Sequence, residues 1–203
     1  MPKQAEKAQA TRRRLLDAAF ESLVELGYFG TSTVKVAERA GVARGTMLHH
    51  YPTKDALVLA TLEDILMKRV QDFEAQLIES SSTDPVILLK TLWQALKGPT
   101  FQAWLELAVA SRTQSGLAAE FRSLMSRFDT RVMNLVEREL PSSLAAPLDL
   151  KFAVGLGFSA LNGFALDLLQ ITEEEADHKV DSAIAFLVAT LNVIKQSTQP
   201  SGS

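Results

Sequence analysis

The chain is expected to fold as an all-α protein. Three observations predict this. Apolar residues recur at 3.6-residue spacing through nearly the whole length. From Pro85 onward no run has strand character. The breaks between periodic stretches are short and rich in Gly, Pro, Ser and Thr.

The first helix is predicted over residues 11–26, where Leu15, Leu16, Ala19, Phe20, Leu23 and Val24 form one apolar face. Thr11 is positioned to cap its start and Gly27 to stop it. Arg12, Arg13 and Arg14 then crowd the first turn, where the helix dipole disfavours cations, so either a negative partner lies nearby or the three are simply solvated. Ser32 or Thr33 is available to cap the next helix. Residues 33–51 read as two short helices around a corner. Val36, Ala37 and Ala40 form an inner face, Gly41 sits where a left-handed residue ends a helix, and Val42 plugs the turn. Met47, ten residues after Ala37, is the knob of the second helix, leaving Arg44, Thr46 and His49 on its outer side. A corner of this kind is either ordinary core packing or a helix-turn-helix, whose second helix enters a DNA major groove.

Tyr51 precedes Pro52 and marks a boundary, after which Thr53 caps a long helix to about Glu79. Lys54 in its first turn, with the free N–H groups there, forms a phosphate candidate. The polar stretch Ser80 to Pro85 ends that helix. Further helices are predicted at roughly 85–97, 99–112, 116–139, 148–170 and 173–196, with breaks at Gly98-Pro99, Ser115-Gly116, Pro141 to Pro147 and Thr172.

Composition sets bounds on function. The 203 residues carry 47% hydrophobic and 22% charged side chains, the balance of a globular protein. There is no cysteine, which excludes disulfides and thiolate chemistry. No apolar run is long enough to span a bilayer, and the start lacks a signal peptide's apolar core, so a soluble cytoplasmic protein is expected. The net charge is −3, but residues 1–54 hold nine basic and five acidic side chains, a net of +4, against −7 for the remainder. A cationic head on an anionic body places any polyanion contact at the head.

The order and spacing of Thr11-Arg12, Leu16-Asp17-Ala18-Ala19, Gly27-Tyr28, Thr31-Ser32, Val36-Ala37, Ala40-Gly41-Val42, Arg44-Gly45-Thr46, His50-Tyr51-Pro52 and Lys54-Asp55-Ala56-Leu57 resemble the tetracycline-repressor (TetR) family of bacterial transcription regulators. The resemblance covers about residues 9–69, and beyond it the chain is similar only in being helical. It implies a flexible arm (1–8), a three-helix DNA-binding head (9–69, with the helix-turn-helix at 32–51), a helical ligand-binding and dimerisation body (70–197) and a disordered tail (198–203). The function implied is that of a homodimeric, ligand-responsive regulator, a repressor released from a near-palindromic double-stranded operator by a small, mostly apolar effector. A helical carrier or an activator with the same head is the alternative.

The DNA-facing residues expected from the resemblance and the charge pattern are Arg12, Ser32, Thr33, Lys35, Arg44, Gly45, Thr46, Leu48, His49, Tyr51 and Lys54. Arg44 either pairs with guanine or grips a phosphate. Leu48 departs from the family's usual tyrosine, whose hydroxyl binds phosphate. It is left to touch a thymine methyl or to pack against sugar. Tyr51 stands for the usual phenylalanine and should fill the same core site. An effector pocket is expected among Leu66, Met67, Val70, Trp93, Phe101, Trp104, Phe121, Met125, Phe128 and Asn162, aromatics at helical spacing that plain core would also explain. The stripe Ile184, Leu187, Val188 and Leu191, with Phe158 and Leu161, is either core within one chain or a two-fold interface, and the resemblance favours the interface. No catalytic residue, cofactor or metal site is expected. Neighbouring His49 and His50 point about 100° apart on a helix and cannot share an ion.

Overall fold

The computed structural model describes residues 2–80, 84–139 and 150–198. Among the described residues there are nine helices and no strand: α1 (Pro2–Gly30), α2 (Thr33–Arg39), α3 (Arg44–His50), α4 (Lys54–Ser80), α5 (Pro85–Leu96), α6 (Pro99–Ser111), α7 (Ser115–Glu139), α8 (Leu150–Asp167) and α9 (Glu173–Thr198). The predicted break from Pro141 to Pro147 and the tail beyond Thr198 lie outside the described residues. No helix of the described residues is long and apolar enough to cross a membrane.

The first helix departs from expectation at its start. It begins at Pro2, so residues 2–8 are helical instead of forming a loose arm, and Thr11 lies inside the helix. Its hydroxyl donates to the Lys7 carbonyl one turn back, 2.9 Å away, and caps nothing. The arginine cluster is therefore remote from the first turn, and the dipole argument for a nearby anion falls away. Arg13 has local partners instead, Asp17 (2.5 Å) and Asp64 (2.8 Å), which hold its guanidinium above the usual range.

The chain divides into two compact units, residues up to Arg69 with Pro99–Asp129, and Val70–Gly98 with the residues from Thr130 on. The division differs from a simple boundary at residue 69, because α6 and the first part of α7 join the head. The reason is apolar burial. Ala103, Leu107 and Ala110 of α6 and Leu117, Phe121 and Leu124 of α7 share one core with Leu23 of α1 and Val58, Leu62 and Leu66 of α4. A second core in the same unit holds Leu15, Leu16, Ala19, Val36, Ala37, Ala40, Met47, Tyr51 and Leu57.

In the other unit α5, α8 and α9 pack together. Asp84 caps α5 through the Val86 N–H at 2.9 Å, with Pro85 in the first turn where its missing N–H costs nothing. Thr172 and Glu175 form a reciprocal capping box at the start of α9, where three glutamates complement the dipole. Buried Trp93 donates its indole N–H to Asp177 at 2.5 Å, and Lys97 bridges Asp177 (2.9 Å) and Glu173 (2.8 Å). Burial raises the Asp177 carboxyl, but the Lys97 and Trp93 hydrogen bonds outweigh it and hold the group below the ordinary range.

The expected interface stripe is corrected here. Leu161 and Ile184 are 3% and 2% exposed, and Val180 is 1% exposed, so these side chains already serve the interior of their own unit. Phe158, Leu187 and Val188 are half-buried, and the side chain of Leu191 lies outside the described residues. Among the described residues, the large apolar side chains left exposed are Phe152, Leu156 and Leu166 on α8 and Phe186 and Val193 on α9. Helical spacing identified a stripe without identifying which surface covers it.

Candidate nucleic-acid interface

The corner between α2 and α3 is built from backbone chemistry. Ser32 caps α2, its hydroxyl accepting from the Lys35 N–H at 3.3 Å. At the other end Gly41 has φ +61°, a conformation glycine adopts at little cost. Its N–H bonds the Glu38 carbonyl at 3.1 Å and the Val42 N–H bonds that of Ala37 at 2.9 Å, the paired closure of a Schellman motif. Val42 is half-buried against the head core, as the sequence predicts.

Met47 is fully buried and fixes the rotation of α3. At about 100° per residue, Gly45 and His49 lie within about 20° of the opposite side. Leu48 lies on one flank with Arg44, and Thr46 on the other. Arg44, Gly45, Thr46, Leu48 and His49 are all exposed. The outer face of α3 thus presents one guanidinium, one hydroxyl, one imidazole and one apolar side chain, and no carboxylate. Among the described residues no three His, Cys, Asp or Glu side chains gather as metal ligands.

The flanking candidates differ in availability. Lys35 is exposed, with its ammonium on the Gly30 carbonyl at 2.9 Å, and Thr33 is half-buried. Exposed Arg12 donates to the Tyr51 hydroxyl at 3.2 Å. Tyr51 itself is 7% exposed, its ring part of the head core as expected for the site of a phenylalanine, so its hydroxyl orients Arg12 rather than projecting outward. Arg39 is occupied by Glu25 at 2.5 Å and by Glu21.

At the start of α4, Thr53 caps the helix through the Ala56 N–H at 3.0 Å. The Lys54 ammonium sits 3.8 Å above the Tyr28 ring, and burial pulls its pKa down against the opposing charge of Asp55. The Tyr28 hydroxyl donates to Asp55 at 2.6 Å, and burial with that hydrogen bond pushes the phenol up to about 12. The Tyr28 N–H donates to Glu106 of α6 at 2.8 Å, beside Gly27, whose φ of +68° kinks α1. The positive φ favours glycine there, and a Cβ at Gly27 would lie 2.6 Å from a Glu106 carboxylate oxygen and displace that side chain from the Tyr28 N–H. Pairings across 27 and 78 residues leave no trace in local spacing, and sequence reasoning missed both.

A pH dependence follows. The unfolded phenol ionises near 10 whereas the folded one holds its proton to about 12. Stability contributed by Tyr28 is complete below pH 10 and is lost as pH rises toward 12. Urea midpoints measured across that window should fall less steeply for Tyr28→Phe than for the wild type.

The expected pocket residues separate by unit. In the first, Leu66 and Phe121 belong to the core and Trp104, Met125 and Phe128 pack against it. Phe101 stacks on Trp104 with centroids 5.4 Å apart, and the Trp104 N–H points at the Met125 sulfur, 3.2 Å away. Met67 is half-buried. Val70, Trp93 and Asn162 belong to the second unit, where Trp93 is committed to Asp177 and Asn162 is half-buried.

Comparison with known proteins agrees with this geometry. Residues 15–61 match the model described as bacterial regulatory proteins, tetR family. The chain is 30% identical over 179 residues to the helix-turn-helix transcriptional regulator CymR of Pseudomonas putida, covering 87% of this chain and 88% of that one. Two solved structures share the fold. One, described as a TetR-family regulator of a Rhodococcus species, has a TM-score of 0.73 at 18% identity over 88% of this chain and 98% of its own. The other, the Bacillus subtilis regulator FadR in complex with stearoyl-CoA, has a TM-score of 0.65 at 17% identity over 87% and 97%.

Proposed function

We propose, from the premise that this chain belongs to the TetR family of bacterial transcriptional regulators, that it is a homodimeric repressor whose α3 helices read two half-sites of a near-palindromic operator. The observation that carries the reading is the outer face of α3. Met47 locks that helix into the head, while Arg44, Thr46, Leu48 and His49 remain exposed. Side chains held this way by a rigid core reach base edges, and Arg12, Ser32, Thr33, Lys35 and Lys54 supply the flanking phosphate contacts.

Dimerisation is supported by the outward face of the second unit. Leu156, Phe186 and Val193 are 49%, 70% and 65% exposed. A Cβ at Gly155 or Gly163 of α8 would meet nothing within 4 Å. Glycine inside a helix costs roughly 1 kcal/mol against alanine, and close approach of a second copy's helices accounts for it. A two-fold axis then demands a two-fold operator.

The effector reading is supported by Phe101, Trp104, Phe121, Met125 and Phe128 in one apolar cluster and by the apolar chain of the ligand bound to FadR. An effector acts by binding more tightly to the conformation that fits the operator poorly. The reading is tested by titrating the purified protein with DNA from its own promoter region and with random duplex at one salt concentration. A clear preference for the former is expected, and equal affinity would exclude sequence-specific regulation there. Arg44→Ala should weaken binding to the preferred site by about 1–3 kcal/mol and random binding far less. A uniform loss assigns Arg44 to phosphate.

A further inference from the structure

The role of Leu48 follows from its surroundings, given the DNA-reading role proposed for α3. Leu48 is 38% exposed and stands outside the head's core cluster, although buried apolar side chains lie on both sides of it in sequence at Met47 and Tyr51. It is the single apolar side chain on a face otherwise made of Arg44, Thr46 and His49.

Gly45 precedes it by three residues, which makes the two same-face neighbours on a helix. Nothing inside the protein requires glycine at this position. Its φ is not positive, and a Cβ there would meet no atom within 4 Å. A glycine in the first turn of this seven-residue helix therefore leaves the unfolded chain more freedom to lose, with no internal contact to compensate. What it provides is a backbone bare on the outward side, able to approach another surface closely, with the Leu48 isobutyl group as one wall of the gap.

The base edges of the major groove carry one apolar group, the thymine C5-methyl. The same edge offers the O4 acceptor, and the neighbouring side chains of α3 carry donors and no carboxylate. We infer that Gly45 and Leu48 together form a seat for a thymine methyl, making Leu48 a specificity-determining residue of the recognition helix.

The experiment uses the full-length protein. Its preferred site is selected from a randomised duplex pool, and each thymine of the half-site is then replaced by deoxyuridine, which removes only the methyl. With one half-site altered, the wild type should bind about fourfold more weakly at one of its thymines, the equivalent of about 0.8 kcal/mol for one methyl at 1.4 kcal/mol per tenfold. Leu48→Ala should bind the thymine and deoxyuridine duplexes equally at that position. Gly45→Ala should lose operator affinity while its unfolding midpoint rises, a pair of opposite signs that a merely structural glycine would not produce. A sequence-specific wild type indifferent to deoxyuridine at every thymine overturns the inference, as does a loss that persists undiminished in Leu48→Ala. A wild type that selects no sequence instead removes the reading on which the inference rests, a result distinct from either.

Discussion

Ile184→Glu is expected to unfold the second unit, and Phe186→Glu to leave it folded but monomeric. The two positions are two residues apart on α9, about 160° around the helix from one another, and differ in what they touch. Ile184 is 2% exposed and sits among the side chains of its own chain, whereas Phe186 is 70% exposed. A carboxylate forced into an apolar interior without a partner costs several kcal/mol, on the order of 3–5, a large part of a typical domain's stability. The same charge at Phe186 meets water in the monomer and is penalised only when a second copy covers it. Thermal unfolding by circular dichroism with sedimentation of each variant separates the cases. A folded, monomeric Ile184→Glu would return that residue to the interface and overturn its assignment to the interior.

Met47→Ala should destabilise the head by about 2–5 kcal/mol, the usual range for truncating a buried methionine, and abolish sequence-specific binding with it. Met47 is fully buried among Leu15, Val36, Ala37 and Leu57 and is the buried anchor of α3. With the anchor gone, the outer face loses its fixed rotation, so affinity falls although no side chain on that face has changed. Arg44→Ala provides the contrast, since an exposed residue should alter binding at unchanged unfolding midpoint. Denaturation curves and DNA titrations on both variants distinguish anchoring from reading, and a Met47→Ala protein of normal stability and affinity would contradict the role given to Met47.

Much of the head was legible in the sequence because its signals are local. The spacing of Val36, Ala37, Ala40 and Met47 specified the inner face, and Gly41 sits at φ +61° as its place after Ala40 implied. Ser32 and Thr53 cap the helices they precede. The start of α1 was not legible, because Pro2–Ala10 carries good helix formers without the apolar stripe that marks a helix packed on a core, and Thr11 imitates a cap. Pairings between distant segments were invisible for another reason. Trp93 with Asp177 and the Tyr28 N–H with Glu106 join residues 84 and 78 apart, and neither partner carries a local signature. Spacing also cannot tell a stripe facing its own chain from one facing a second copy, which is why Leu161 and Ile184 were placed at the interface and Phe186 was not.

The central claim is that two copies of this chain read a symmetric DNA site through α3. Selection of bound fragments from the host genome by the purified protein tests it most directly. The account predicts fragments sharing a near-palindrome, with half-sites centred about one helical turn or a multiple of it apart, whose enrichment is lost on Arg44→Ala. Fragments sharing no sequence, or a single asymmetric site bound by one copy, would contradict it.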